Sequence, residues 1–201
     1  MKEIEKKLIN TIRRIVAEIK WRAKGRPVPP PHFIKQRIIK DYARNFGMRI
    51  FVETGTYLGD TTMSVNSVFD ELYSIELDEF LFKNAQDKFA AYPHIHIFRG
   101  DSSKVLQSVL ATIEKPALFW LDGHYSEGIT AKGDLNTPVM KELELVLNHK
   151  IKNHIILIDD ARCFVGKNDY PTIAELGSFI KKIDPELNFF VSDDIIRIIK
   201  R

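Results

Sequence analysis

Six acidic residues stand where apolar runs of this 201-residue chain stop. Glu53 closes the run from Ile50, Glu76 the run from Leu72, and Asp101 follows the run His94–Phe98. Asp122 closes the run from Ala117, and Asp159 with Asp160 the run from Ile155. A buried strand gains nothing from a terminal carboxylate, so five such ends in succession point to a lined cleft, although acids are also common in ordinary turns. The first of these ends opens a loop, Glu53-Thr-Gly55-Thr-Tyr57-Leu-Gly59-Asp60. Glycine there lets backbone approach a ligand and tolerates positive φ. The pattern is not the Gly-x-Gly-x-x-Gly of dinucleotide enzymes, because Tyr57 takes the middle glycine's place, and no Gly-Lys-Ser/Thr marks a triphosphate loop. Glu76 lies about 20 residues after Gly55, at a second strand end, where an acid accepts hydrogen bonds from ribose hydroxyls.

Two further groupings carry chemistry. If the fourth and fifth strands are neighbours, Asp122, Asp159 and Asp160 can share one hard cation such as Mg²⁺, because oxygen ligands suit such ions and not zinc. The competing reading is that Asp159 and Asp160 cap a helix or pair with Arg162, while Asp122 positions a substrate without metal. The segment from Gly123 to Asp134 is long for a connection in a compact domain, and such loops are often lids or binding loops. In it His124 is the candidate general base, since imidazole titrates near neutral pH; substrate binding or support of Asp122 are its alternative roles. Tyr125 and Lys132 are candidate substrate contacts.

The elements that must hold these residues follow from periodicity. Helical stretches at about 61–69, 79–91, 104–113, 138–148 and 172–183 alternate with the short apolar runs, which predicts a parallel sheet covered on both faces. Two closing runs, Phe189–Ser192 and Ile195–Ile199, flank an Asp193–Asp194 turn and read as a hairpin that adds an antiparallel strand. Upstream, Ile4, Leu8, Ile12, Ile15 and Ile19 line one face of an amphipathic helix. It should end near Gly25, before the prolines at 27, 29, 30 and 31, and a second helix spans about 33–46. The chain thus divides into residues 1–32, a basic helix with a proline-rich linker, and a catalytic domain of residues 33–201.

Taken in order, Glu53-Thr-Gly-Thr-Tyr-Leu-Gly59, Tyr73-Ser-Ile-Glu76-Leu-Asp78, Gly100-Asp101-Ser102 and Phe119-Trp-Leu-Asp122 resemble the successive motifs of class I S-adenosylmethionine-dependent methyltransferases. The resemblance spans about Arg49 to Lys200, and the aromatic residue in the glycine loop is similar to the catechol-type and macrocin-type O-methyltransferases. It implies an α/β, Rossmann-like, doubly wound sheet of seven strands with the last antiparallel, carrying an N-terminal helical extension. It also implies that Glu53, Gly55, Tyr57 and Gly59 surround the methionine part of S-adenosylmethionine, that Glu76 holds the ribose, and that Asp101 with Ser102 meets the adenine. Metal-dependent members resemble the grouping Asp122, Asp159, Asp160; Asp122 and His124 are the candidate catalytic residues on the chemistry given above. The catechol group has a lysine near the position of Gly-His-Tyr, so its substrate is not carried over. The expected reaction is O-methylation of a hydroxylated small molecule or sugar, with a divalent cation as an optional assistant. The alternatives are a non-catalytic S-adenosylmethionine-binding module, or a hydroxylase-like or nucleotide-sugar enzyme on the same scaffold.

Bulk properties bound the partners. Residues 1–48 hold 13 Lys/Arg against 4 Asp/Glu, a net +9, and residues 49–201 hold 17 against 23, a net −6. The basic character belongs to the N-terminal segment, for which three readings are open: packing on the domain or on a second subunit, contact with an anionic membrane surface, or a solvated arm. Nucleic acid is not an expected partner, because the body is acidic and aromatic and basic residues do not interleave. A single cysteine, Cys163, excludes an internal disulfide and a cysteine-rich zinc site and fits a reducing, cytoplasmic setting. Charges at Glu5, Lys6, Lys7, Arg13 and Arg14 break up any secretory signal, and no apolar run approaches the ~18 residues of a membrane span.

Overall fold

The computed structural model describes residues 2–123 and 137–200. Seven strands form one sheet in the order β3-β2-β1-β4-β5-β7-β6. They are β1 (Ile50–Thr54), β2 (Glu71–Glu76), β3 (Ile95–Arg99), β4 (Leu118–Leu121), β5 (Ile155–Ile158), β6 (Leu187–Ser192) and β7 (Ile195–Lys200). The first five pair in parallel, and β7 runs against its neighbours β5 and β6. This is the doubly wound sheet with an antiparallel last strand that the motifs imply. The hairpin turn also fits: Asp193 and Asp194 sit at φ 51° and 61°, the left-handed pair that a tight hairpin of matching twist requires.

Side chains alternate faces along a strand, and here both faces are buried. Phe51, Leu72, Leu118, Trp120, Ile155 and Leu157 join one cluster, under α2 (His32–Asn45) and α4 (Glu79–Phe89). Val52, Ile75, Phe119, Leu121, Ile156 and Ile158 join the other, under α5 (Ser102–Thr112), α6 (Val139–Leu147) and α7 (Ile173–Ile183). Trp120, Phe51 and Phe119 are sealed within the sheet, each worth about 1.5–3 kcal/mol of burial. The same alternation carries past the strand ends. Glu53, Asp122 and Asp159 fall on the face covered by α2, whereas Thr54 falls on the face covered by α5 and α6.

Helix α3 (Asp60–Val65) stops four residues short of the expected Phe69. Asn66 and Ser67 are poor helix formers, the Asn66 amide turns to Met63 Sδ at 3.4 Å, and Val68 N–H closes a turn onto Val65 O. Just ahead of α6, Thr137 Oγ1 accepts Val139 N–H at 3.3 Å. At α7 a full capping box links Thr172 and Glu175.

Helix α1 (Lys2–Ala23) is tied down at its C-terminal end. Trp21 is buried, its indole N–H donates to Pro27 O at 2.8 Å, and Glu18 pairs with Arg22 and with Arg37 of α2. Leu8, Ile12, Ile15 and Ile19 are instead 51–60% exposed. The stripe therefore does not pack on its own domain, which corrects that half of the first reading; the stripe faces away from the body because Trp21 lies on the opposite side of the helix. Among the described residues no helix is long and apolar enough to cross a membrane.

Candidate active site

The sheet order reverses between β1 and β4, the place where an open α/β sheet binds its ligand. β1 delivers the glycine loop there. Gly55 N–H and Thr56 N–H both donate to Ile75 O, at 2.9 and 3.2 Å, which folds the loop over the end of β2. Tyr57 N–H then donates to Glu76 Oε2 at 2.7 Å, and Asp78 N–H to Glu76 Oε1 at 2.9 Å. Glu76 is thereby fixed in orientation, with acceptor capacity left over. Burial pushes its carboxyl up, opposed by backbone bonds from Asp78, Tyr57 and Leu77. Gly100 N–H bonds to Glu76 O at 2.9 Å and brings the end of β3 to the same rim. From β4, Asp122 N–H reaches Thr54 O at 3.1 Å and Thr54 Oγ1 at 3.2 Å. The structure thus gathers Glu53, Gly55, Tyr57, Glu76, Asp101, Ser102 and Asp122 at one edge, as a cleft lined by strand ends requires.

Glu53 lies beneath the loop and not on its surface. It is 2% exposed, and its Oε2 accepts from Thr62 Oγ1 at 2.5 Å and Ser74 Oγ at 2.8 Å. Burial pushes its pKa up to about 8 against the pull of those hydroxyls. Asp101 caps α5: its Oδ1 accepts from Ser103 N–H at 2.9 Å and Ser103 Oγ at 2.7 Å. Ser102 beside it is buried. Tyr57 is half exposed with φ 48°. His124, Tyr125 and Lys132 lie outside the described residues.

The acidic grouping at β4 and β5 does not match the expected cation site. Lys35, from the first turns of α2, places Nζ 2.5 Å from Asp159 Oδ2 and 3.1 Å from Asp160 Oδ1. Asp159 Oδ1 accepts Asp160 N–H at 2.8 Å, and Asp160 Oδ1 also receives Arg162 Nη1 at 2.8 Å. Arg162 continues to Asp194. Both oxygens of Asp159 and one of Asp160 are thus engaged by protein donors. A divalent metal asks for several carboxylate oxygens at about 2.0–2.6 Å, and an ammonium on the same oxygens would repel it. Among the described residues no three His, Cys, Asp or Glu side chains group as a metal site. The Asp160–Arg162 pairing is the one the sequence offered as the competing reading.

Several functional neighbours were not legible as such. Burial opposes the Lys35 ammonium, but Asp159, Asp160 and Asp122 outweigh it and hold its pKa above the ordinary value. His32, one turn before it, meets Thr61 Oγ1 at 3.1 Å; partial burial and the Lys35 charge lower its pKa, while Asp60 and Asp122 raise it. Ser74 and Thr62 hold Glu53. Glu142 of α6 is 1% exposed, with its pKa pushed up to about 7 by burial against the Ser102 and Thr54 hydroxyls. Its Oε1 has no hydrogen-bond partner among the described residues, and a Cβ at Gly123 would stand 3.1 Å from it. A signal for Glu142 did exist: it lies within the apolar stripe Val139, Leu143, Val146.

No family model and no curated protein sequence matches this chain. Solved structures do. An O-methyltransferase from Bacillus cereus, in complex with S-adenosylhomocysteine, aligns with TM-score 0.61 at 14% identity over 92% of this chain and 89% of that one. A caffeoyl-CoA O-methyltransferase-like protein from Staphylococcus aureus aligns with TM-score 0.58 at 17% identity over 98% of both chains. The O-methyltransferase TomG from Streptomyces achromogenes, in complex with S-adenosylmethionine, aligns with TM-score 0.58 at 12% identity over 92% and 88%. The fold is the Rossmann-like methyltransferase fold. In it, the rim described above is the edge at which the strand order reverses.

Proposed function

We propose that this chain is an S-adenosylmethionine-dependent methyltransferase acting on an oxygen of a hydroxylated small molecule or sugar. The observation that carries this reading is the oriented Glu76 carboxylate beside the Gly55 turn and the Asp101–Ser102 corner, all at the switch point of the sheet. The residues present suit the cofactor. Glu76 can accept ribose hydroxyls, and Gly55 leaves backbone bare for close approach. A rim where Asp122 adds to the fields at Glu53 and Glu142 favours a ligand bearing sulfonium and ammonium charge. The solved relatives that hold S-adenosylhomocysteine or S-adenosylmethionine support the same assignment.

When bound, the cofactor supplies an electrophilic methyl group, so the protein's work is placement. The glycine loop and Glu76 fix the nucleoside. Asp122, beside that loop, is placed to hold the proton of the acceptor hydroxyl, with His124 as the sequence's second candidate for that task. The buried Glu53–Thr62–Ser74 linkage keeps the loop from shifting.

Titration calorimetry with S-adenosylhomocysteine tests the cofactor half. The wild type should bind one equivalent with micromolar affinity, and Glu76→Ala should bind about 30-fold more weakly, the cost of hydrogen bonds to a charged acceptor. Transfer of labelled methyl from S-adenosylmethionine to a panel of hydroxylated small molecules and sugars tests the other half. There Asp122→Asn should lower kcat by about 100-fold or more with little change in cofactor affinity. Binding without product from any acceptor favours the binding-module alternative. Absence of binding at millimolar ligand favours a different enzyme on this scaffold.

A further inference from the structure

Lys35 is held as a built part of the rim. The linker ahead of it ends in buried Pro30 and in Pro31, which sets the start of α2. Ile34 and Gln36, on either side of Lys35, are both buried, and Gln36 Nε2 donates to Asp60 O at 3.1 Å, fastening α2 to α3. The Lys35 side chain is only 13% exposed. It reaches the rim because Glu53, Asp122 and Asp159 all fall on the face of the sheet that α2 covers. An ammonium has three N–H donors, and two go to Asp159 and Asp160.

We propose that Lys35 is the resident cation of the acceptor side of this site: its ammonium holds Asp159 and Asp160 where a divalent metal would otherwise sit, and the site works without one. The claim that an acceptor binds there rests on the methyltransferase reading; the claim that Lys35 excludes a metal does not. Lys35 is then a positioning residue. It neutralises the carboxylates that follow β5 and supplies the positive charge that orients an acceptor oxygen, a task metal-dependent enzymes give to a bound ion.

Mn²⁺ binding, followed by loss of the free-ion paramagnetic resonance signal, reads this directly and needs neither cofactor nor acceptor. Removing the ammonium while keeping its bulk, in Lys35→Met, should raise Mn²⁺ affinity at least about tenfold over wild type. Adding Asp159→Asn to that variant should return it to the wild-type level. Equal affinity of Lys35→Met and wild type, tight or weak, overturns the proposal, as does a gain that survives Asp159→Asn. Should Lys35→Met fail to fold, Lys35→Gln takes its place. The unmodified protein offers a second measurement: its melting temperature should not respond to millimolar Mg²⁺ or to a chelator, and a rise with Mg²⁺ contradicts the proposal. If these results hold while S-adenosylhomocysteine does not bind, the methyltransferase reading falls and the metal exclusion stands.

Discussion

Replacing Gly55 with alanine should abolish measurable S-adenosylhomocysteine binding and lower the melting temperature by about 5–10 °C. A Cβ at this position would stand 2.6 Å from the backbone oxygen of Asp122 and 3.1 Å from its carbonyl carbon. Backbone of a buried parallel pair cannot yield as a side-chain tip does, so either β4 or the loop must move. The residue also sits at φ 88°, a conformation that costs an L-residue about 1–2 kcal/mol. With overpacking of about 1–3 kcal/mol the total is a few kcal/mol, and each kcal/mol moves the midpoint of a domain this size by about 2–4 °C. Gly47→Ala is the control. Its φ is 65° but nothing lies within 4 Å of the new Cβ, so only the backbone cost of about 1 kcal/mol should appear, with cofactor affinity unchanged. Thermal unfolding and calorimetry on the two variants separate the close approach from the dihedral. Equal behaviour of both would show that Gly55 is merely a turn residue.

The second large effect is on stability against pH. Glu53 titrates near 8 in the folded protein because burial outweighs its two hydroxyl donors, and near 4.5 when unfolded. The folded state therefore holds its proton more tightly. The associated stability is fully present below about pH 4.5 and is lost as pH rises through about 8. Glu142, pushed up to about 7, adds a loss of the same sign over a narrower window. Glu53→Gln keeps an oxygen for Thr62 and Ser74 but has no proton to lose. The variant should thus be more stable than the wild type at pH 9, by on the order of 4 kcal/mol, and nearly equal to it at pH 4. Urea unfolding across that range measures it. Parallel curves for the two proteins would mean that Glu53 is ionised or solvated in the folded state, contrary to its burial.

The sheet and the rim were legible because strands announce themselves by length and by acidic ends, and because parity along a strand is strict. Glu53, Asp122 and Asp159 each lie an even step from a buried Phe51, Trp120 and Leu157, so they had to share one face. What the sequence does not state is which helix covers that face. α2 precedes β1 in the chain and carries none of the cofactor motifs, so Lys35 looked like one basic residue among many in a basic segment. By helical spacing Lys35 does lie on a face with Ile38, Ile39 and Tyr42, the one clue to its burial. At Asp101 the cap and the adenine reading are compatible. A carboxylate one residue before a helix satisfies orphan N–H groups first, and any contact with adenine must use what capping leaves. The premature end of α3 was hidden because Val68 and Phe69 prolong the apolar pattern, although the Asn66-Ser67 pair breaks the helix.

A crystal structure of the wild type with S-adenosylhomocysteine tests the central claim most directly. Ribose hydroxyls should lie within hydrogen-bond distance of Glu76 Oε1 and Oε2, adenine against the Asp101–Ser102 corner, and the amino-acid end over the Gly55–Gly59 loop. Density for the nucleoside at any other edge of the sheet, or with its ribose turned away from Glu76, would contradict it.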